Sequence, residues 1–394
     1  MKRPGAADVG VDRGARGQRP LRVLLLCGGS SDEHQVSLAS ARSVLEAVAA
    51  AGDSLLVTPI VVTREGDIVS ADRSLKLLSG SSAGAERLPV TSSVAAGAES
   101  GHSEVPAERG QAPATLPRDV GGSLARLASE VDVVFPLLHG PNGEDGTVQG
   151  LLELMGLPYV GSGVLGSAVA MDKLTMKALF AAAGLPQVDH RGVSRHAYRS
   201  DPGAVITDLL DLRFPVFVKP ANLGSSIGIT KVDEPAELAT AIENALTFDR
   251  RVIVESAAVG ARELELAVLG NDAPRVSGVG EIVFGTGTGT GTGFYDYDTK
   301  YTDGRAQLVI PAAVPSEVAE AARDLALAAF GALDAAGLAR VDLFYLPDGR
   351  LLVNELNTMP GFTVHSMYPK LWQAAGLGYA ELVAELVRLA MEDR

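Results

Sequence analysis

Pro347-Asp348-Gly349 lies between two strand-like segments, 340–346 and 351–356, and the register of that hairpin decides what a whole sheet face can carry. If Asp348-Gly349 is a two-residue loop, Pro347 faces Arg350, Asp342 lies opposite Glu355, and Arg340 lies opposite Asn357. Side chains two apart on a strand share a face. One face would then hold an arginine, two carboxylates and an amide carbonyl. That is a hard-cation site beside a fixed cation, suited to magnesium holding a polyphosphate. A second register is open. Pro347 can set a type I turn with a bulge at Gly349, which turns Asp342 away from Glu355. A surface hairpin with ordinary charges is the plainer alternative.

At 394 residues the chain has room for two or three domains, and its 46% hydrophobic composition supplies sizeable cores. The net charge of −14 argues against nucleic acid and anionic membrane surfaces as partners. It leaves room for an anionic substrate at a locally basic site. The single cysteine, Cys27, precludes an intramolecular disulfide and fits a reducing cytoplasm. Residues 1–20 are rich in Arg, Gly and Pro and read as a disordered tail. The apolar run Leu21–Cys27 is too short for a signal segment or a membrane span, so a soluble cytoplasmic protein is expected.

That run reads as a buried strand broken by Gly28-Gly29, with a helix from about Asp32 to Ala51. Strands at 55–62 and 131–135 would complete an α/β layer. Between them, 79–122 is rich in Ser, Ala, Gly and Pro and reads as a surface insertion. Helices are expected at 147–155 and 165–183, and strands at 215–219, 228–232, 252–255 and 263–269, the middle portion forming an α+β unit. Gly285–Gly293 is a flexible Gly-Thr repeat; helices near 316–336 and 379–392 bracket the hairpin.

Several segments are candidates for chemistry. Gly28-Gly29-Ser30-Ser31-Asp32-Glu33 joins a strand to a helix, and its amides can bind an anion. Glu33 fits a capping box with Ser30 or a contact to a substrate ammonium. His139, in His139-Gly140 … Gly143-Glu144-Asp145-Gly146, follows a buried strand, where α/β sheets bind ligands. Its alternative is a glycine-built turn capped by the imidazole. Lys219 ends an apolar run before Gly224-Ser225-Ser226-Ile227-Gly228, a loop able to cradle phosphate, although no Walker pattern is present. An edge lysine before a hairpin is the alternative. Lys173 falls within the expected 165–183 helix, and Lys300-Tyr301 follows the Gly-Thr repeat, where a closing lid or a solvated loop is expected.

Together these segments resemble the bacterial D-alanine–D-alanine ligases of the ATP-grasp superfamily. The resemblance runs from about Leu21 to the C-terminus, through GGSSDEHQVSL, LHGPNGEDGTVQGLLELMGLPYVGSGV, MDK, VKPANLGSSIGI, ESAAVGARELE, FYDYDTKY, ARVDLFY and NELNTMPGFTVHSM. The tail, the 79–122 insertion and the Gly-Thr repeat depart from the usual pattern. The resemblance implies mixed α/β and α+β architecture in three domains: an N-terminal α/β domain at 21–163, a central domain at 164–258 and a C-terminal domain at 259–394 with a lid at about 285–304. ATP would lie between the last two.

By the same resemblance, Lys173 and Lys219 meet ATP phosphates, Glu255 the adenine side and Glu263 the ribose. Asp342, Glu355 and Asn357 hold two magnesium (or manganese) ions. Glu33 binds the first D-alanine ammonium, linked to Ser225 and Tyr301; His139 lies near that alanine's carboxylate; Lys300 reaches the transferring phosphate. Ser366 and Met367 receive the second D-alanine, and Arg340 with the Gly361 backbone stabilises an oxyanion. The implied reaction joins two D-alanines through an acyl phosphate for peptidoglycan precursor synthesis, and a homodimer is expected. A D-alanine–D-lactate ligase is the near rival, disfavoured by Tyr301 in the lid segment; a non-catalytic nucleotide-binding regulator is the distant one.

Overall fold

The computed structural model describes residues 19–51, 54–80, 130–224, 227–284 and 306–392. The expected tail, insertion and lid lie outside or almost wholly outside these residues. The chain opens on three parallel strands, β1 (Leu21–Gly28), β2 (Leu55–Val62) and β3 (Val133–Leu138), in the order β2-β1-β3. The His34–Ala51 helix makes the crossover from β1 to β2. A parallel sheet is covered on both faces, and β1 is accordingly apolar and buried from Val23 to Cys27. Val23, Leu25 and Cys27 share a core with Leu382 and Leu386 of the Tyr379–Ala390 helix, so the end of the chain returns to cover its beginning. Leu24 and Leu26 pack on the other side with Leu152 and Tyr159. Gly28 has φ +91°, and a Cβ there would sit 2.2 Å from the Val62 carbonyl oxygen. Only glycine lets β1 turn out of the sheet at this point.

The middle portion is an α+β unit, as expected. Strands β4 (His190–Ser194), β5 (Val216–Pro220), β6 (Thr230–Val232) and β7 (Arg251–Ser256) form an antiparallel sheet in the order β4-β7-β5-β6. The Leu238–Phe248 helix packs on it through Leu238, Ile242 and Ala245. The third sheet contains β8 (Arg262–Gly270), β9 (Arg275–Val276), β10 (Gly280–Phe284), β11 (Ala306–Val309), β12 (Gly337–Tyr345) and β13 (Leu351–Asn357), with the path β11-β10-β8-β12-β13. The Ser316–Ala332 helix buries Ala322, Ala326, Ala329 and Phe330 against it.

Two sequence expectations need correction. The single helix over 165–183 is two helices, Val164–Met171 and Lys173–Ala182. Asp172 between them is extended, at φ −90° and ψ 100°, and its carboxylate accepts from Thr175 N and Oγ1, both at 2.9 Å. It also pairs with Arg251, so the break is fixed from outside the helix. The capping box expected for Ser30 and Glu33 requires a helix starting just after Ser30, whereas the helix starts at His34.

The break predicts a measurable cost. Asp172→Ala removes an N-cap worth ~1 kcal/mol and also strands the Arg251 guanidinium in a partly buried place. Its unfolding free energy in urea should fall by about 3 kcal/mol, toward the range for broken buried ion pairs. A loss no larger than that of a cap alone would show that Arg251 finds water instead.

Candidate active site

The hairpin turn has three residues, 347–349: Tyr345 pairs with Leu351, Leu346 N–H donates to the Arg350 carbonyl at 2.9 Å, and Gly349 takes φ +89°. That is the second register open to the sequence. The two-residue loop is thus overturned, but the pairing it implied is present. A β-bulge between Asp342 and Leu343 skips Asn354 on β13, and beyond it Asp342 faces Glu355 and Arg340 faces Asn357. The core explains the slip. Leu351, Val353 and Leu356 all reach the buried side with Tyr345, Leu343 and Val341, although Val353 and Leu356 are three apart. One extra residue must be absorbed, and a bulge absorbs one.

The opposite face is polar. Across β8, β12 and β13 it carries Glu265, Asp342 and Glu355 in one row, and Arg340 with Asn357 in the next. Arg340 grips Asp342 through Nε–Oδ1 and Nη2–Oδ2, both 2.7 Å, and lies 3.3 Å from Glu265. Asn357 Nδ2 donates to Asp342 at 3.2 Å. Lys173, the first residue of its helix, places Nζ 2.8 Å from the Leu223 carbonyl and 4.0 Å from Glu355. Its backbone N–H donates to Ala221 at 2.8 Å, tying the helix start to the end of β5.

Lys219 on β5 is 2.5 Å from Glu255 on β7, and Lys177 approaches the same carboxylate at 3.0 Å. Burial would raise the Glu255 pKa, but these two ammonium groups hold it well below the usual carboxylate range. Burial works against the charge on Lys219 as well; Glu255, Glu355 and Glu263 outweigh it and raise its pKa. Lys173, Lys219, Glu255, Glu263, Glu355, Asp342, Asn357 and Arg340 therefore converge on one cleft between the second and third sheets.

The other side of the cleft is built by the first sheet. Glu33 lies against both Gly140 and Gly224; a Cβ on either would come within 3.7 Å of its Oε2. His139 is buried, and its Nδ1–H donates to the Met359 carbonyl at 3.0 Å. Nε2 is buried without a hydrogen-bond partner, and burial lowers the pKa of the ring despite Glu33 nearby. Gly361 stands beside Ser366, whose hydroxyl is 2.9 Å from Thr363 Oγ1. Ser366 precedes the Met367–Ala374 helix. The Met367 side chain is buried in the core beneath Gly280, so only its backbone is placed to meet a ligand. Ser225, Lys300 and Tyr301 lie outside the described residues.

Sequence reasoning assigned no role to Glu144, Lys177 or Glu265. Glu144 accepts the Gly140 N–H at 2.7 Å, and burial, reinforced by Glu33, pushes its carboxyl up to about 8. Burial is invisible in a motif, so nothing in Gly143-Glu144-Asp145-Gly146 signalled it. Lys177 left a usable signal, since it lies one turn after Lys173 and shares its face.

The donor set fits a magnesium ion on its chemistry. Asp342 and Glu355 offer carboxylate oxygens, Asn357 an amide, and the cations already drawn to those carboxylates are Arg340 and Lys173. Among the described residues no three His, Cys, Asp or Glu side chains form a metal cage. Magnesium commonly takes one or two carboxylates and completes its shell with water and substrate phosphate.

A central antiparallel sheet and a larger one closing on a lysine- and carboxylate-lined cleft define the ATP-grasp fold. The chain belongs to the D-alanine–D-alanine ligase family: residues 22–162 match its N-terminal part and residues 179–388 its C-terminal part. A D-alanine–D-alanine ligase of Deinococcus radiodurans is 49% identical over 379 residues, 95% of this chain and 99% of that one. One from Geobacillus thermodenitrificans is 46% identical over 372 residues, covering 94% and 95%. Among solved structures, the D-alanine–D-alanine ligase of Coxiella burnetii aligns with TM-score 0.72 and 31% identity, covering 95% and 94% of the two chains. A D-Ala:D-Ser ligase of Enterococcus faecalis aligns with TM-score 0.71 and 32% identity, covering 95% and 100%.

The raised Glu144 pKa predicts a pH effect on stability. Between its ordinary 4.5 and about 8 the folded state holds a proton that the unfolded chain releases. Glu144 therefore stabilises below its unfolded pKa and loses that contribution as pH rises through its folded pKa. Glu144→Gln should flatten the fall in urea-unfolding free energy across this window. A parallel fall in parent and variant would show that Glu144 is ionised in the folded protein.

Proposed function

We infer that this protein is an ATP-dependent ligase that joins two D-alanines into D-alanyl-D-alanine, with release of ADP and phosphate, for peptidoglycan precursor synthesis. The observation that carries the reading is the single cleft holding Lys173, Lys219, Arg340, Asp342, Glu355 and Asn357. Joining two amino acids in water is uphill, so one carboxylate must be activated. The γ-phosphoryl group passes to an oxygen of the first D-alanine carboxylate, giving an acyl phosphate and ADP. The amine of the second D-alanine attacks the carbonyl carbon, loses a proton, and the tetrahedral oxyanion collapses with departure of phosphate.

In this proposal Lys173 and Lys219 hold ATP phosphates, Glu255 faces the adenine side and Glu263 the ribose. Lys219 pairs with Glu255, which raises its pKa against burial. Asp342, Glu355 and Asn357 hold two magnesium or manganese ions, which neutralise charge on the transferring phosphate when bound. Arg340, fixed on β12, and the Gly361 backbone donate to the oxyanion.

Glu33 receives the first ammonium, with Ser225 and Tyr301 completing that contact. His139 lies near the first carboxylate, its ring oriented by the Nδ1–H bond to the Met359 carbonyl. Ser366 and the backbone N–H of Met367, at the start of a helix, receive the second carboxylate. Lys300 reaches the phosphate from a lid at about 285–304, and the chain divides into three domains bounded near 163 and 258, with ATP between the last two. No helix among the described residues is long and apolar enough to cross a membrane. Action in the cytoplasm, as a homodimer, belongs to the same reading.

Arg340→Ala should lower turnover by on the order of 10²–10³, as for loss of one oxyanion donor, with ATP affinity kept. Phosphate release with D-alanine as sole acceptor measures it, and D-lactate in competition separates dipeptide from depsipeptide formation. Collapse of ATP affinity with turnover of bound substrate preserved would make Arg340 a nucleotide clamp instead.

A further inference from the structure

Lys177 is 2% exposed, one of the largest side chains fully buried in the protein, and the ligation chemistry gives it no task. Its ammonium is held by the Glu255 carboxylate at 3.0 Å and by the backbone carbonyl of Asn354 at 3.3 Å. Asn354 is the bulged residue of β13, the one that brings Glu355 and Asn357 opposite Asp342 and Arg340. Lys173, one turn earlier on the same helix, points at Glu355, the next residue along. Two lysines four apart share a helix face. The Lys173–Ala182 helix thus grips consecutive residues of the bulge, one by its carbonyl and one by its side chain.

We propose that Lys177 is a positioning residue for the metal-bearing end of β13, holding the Asn354 bulge in place while dividing Glu255 with Lys219. The inference rests on the assignment of Asp342, Glu355 and Asn357 as metal ligands. A buried ammonium is costly to desolvate, and an apolar residue of like volume is often as stable. Its place here follows from what it holds. The carbonyl of a bulged residue has lost its regular ladder partner, and a rigidly placed cation fixes its direction. Fixing that carbonyl fixes the plane of the peptide that leads into Glu355. On the other side, Lys177 takes part of the Glu255 charge. Without it Glu255 would bind Lys219 alone and draw that lysine away from the phosphates.

The two arms of the proposal are tested together on the full chain. Mn2+ affinity in the presence of ADP is read from the electron paramagnetic resonance of free Mn2+, and ADP affinity without metal is read by calorimetry. Lys177→Met should weaken Mn2+ about 10–100-fold, the range for loss of a residue that orients metal ligands. ADP binding without metal should also weaken, while D-alanine binding at the first subsite stays within about twofold of the parent. A folded Lys177→Met protein of lowered melting temperature, with Mn2+ and ADP affinities unchanged, would reduce Lys177 to core packing and overturn the proposal. If Lys177→Met does not fold, Lys177→Arg decides: it keeps the charge beside Glu255 but cannot seat the same group on the Asn354 carbonyl. A threefold or larger loss of Mn2+ affinity in that variant supports the role, and an unchanged affinity overturns it. Glu355→Gln is the control. If it leaves Mn2+ binding unchanged, the metal assignment itself falls; if it weakens binding while Lys177→Met does not, only the role of Lys177 falls.

Discussion

One extra residue in β13 governs what the largest sheet can do. The core demands that Leu351, Val353 and Leu356 face inward, and strict alternation cannot satisfy all three. The bulge at Asn354 resolves the conflict by letting the strand slip once. Everything polar on the opposite face depends on that slip. Past it, Glu355 and Asn357 stand beside Asp342 and Arg340. Without it, the same residues would be shared between core and cleft, and either packing or chemistry would be lost.

The cleft is also an electrostatic balance in a chain whose net charge is −14. Its cations come from three places in the sequence: Lys173 and Lys177 from one helix, Lys219 from β5, and Arg340 from β12. Each is matched to a carboxylate, Glu355, Glu255 or Asp342. Such pairing holds the Glu255 pKa down and the Lys219 pKa up against burial. The break at Asp172 supports this arrangement mechanically. It starts the Lys173–Ala182 helix at the mouth of the cleft and ties that start to Arg251 on β7.

Much of this was legible in the sequence, and the failures have identifiable causes. The strand Leu55–Val62 matches its expected 55–62 because a short apolar run bounded by polar residues is a local signal. The cation row was found through a two-residue loop that does not exist. The real loop is one residue longer and the bulge adds one residue on β13, so the two errors cancel. The three-residue step from Val353 to Leu356 was the available clue. The break at Asp172 was missed because Arg251, which helps fix it, is 79 residues away. The burial of Glu144 arises only when distant segments meet, whereas Lys177 had a local signal in its position one turn after Lys173.

In the proposed reaction the cleft activates a carboxylate by phosphoryl transfer before the peptide bond forms. Isotope transfer tests it most directly. With ATP and D-alanine labelled with 18O in its carboxylate, the account predicts that released inorganic phosphate carries one 18O per dipeptide formed. The bridging oxygen of the acyl phosphate leaves with phosphorus when the amine attacks. Dipeptide formed with unlabelled phosphate would contradict the account and show that activation takes another route.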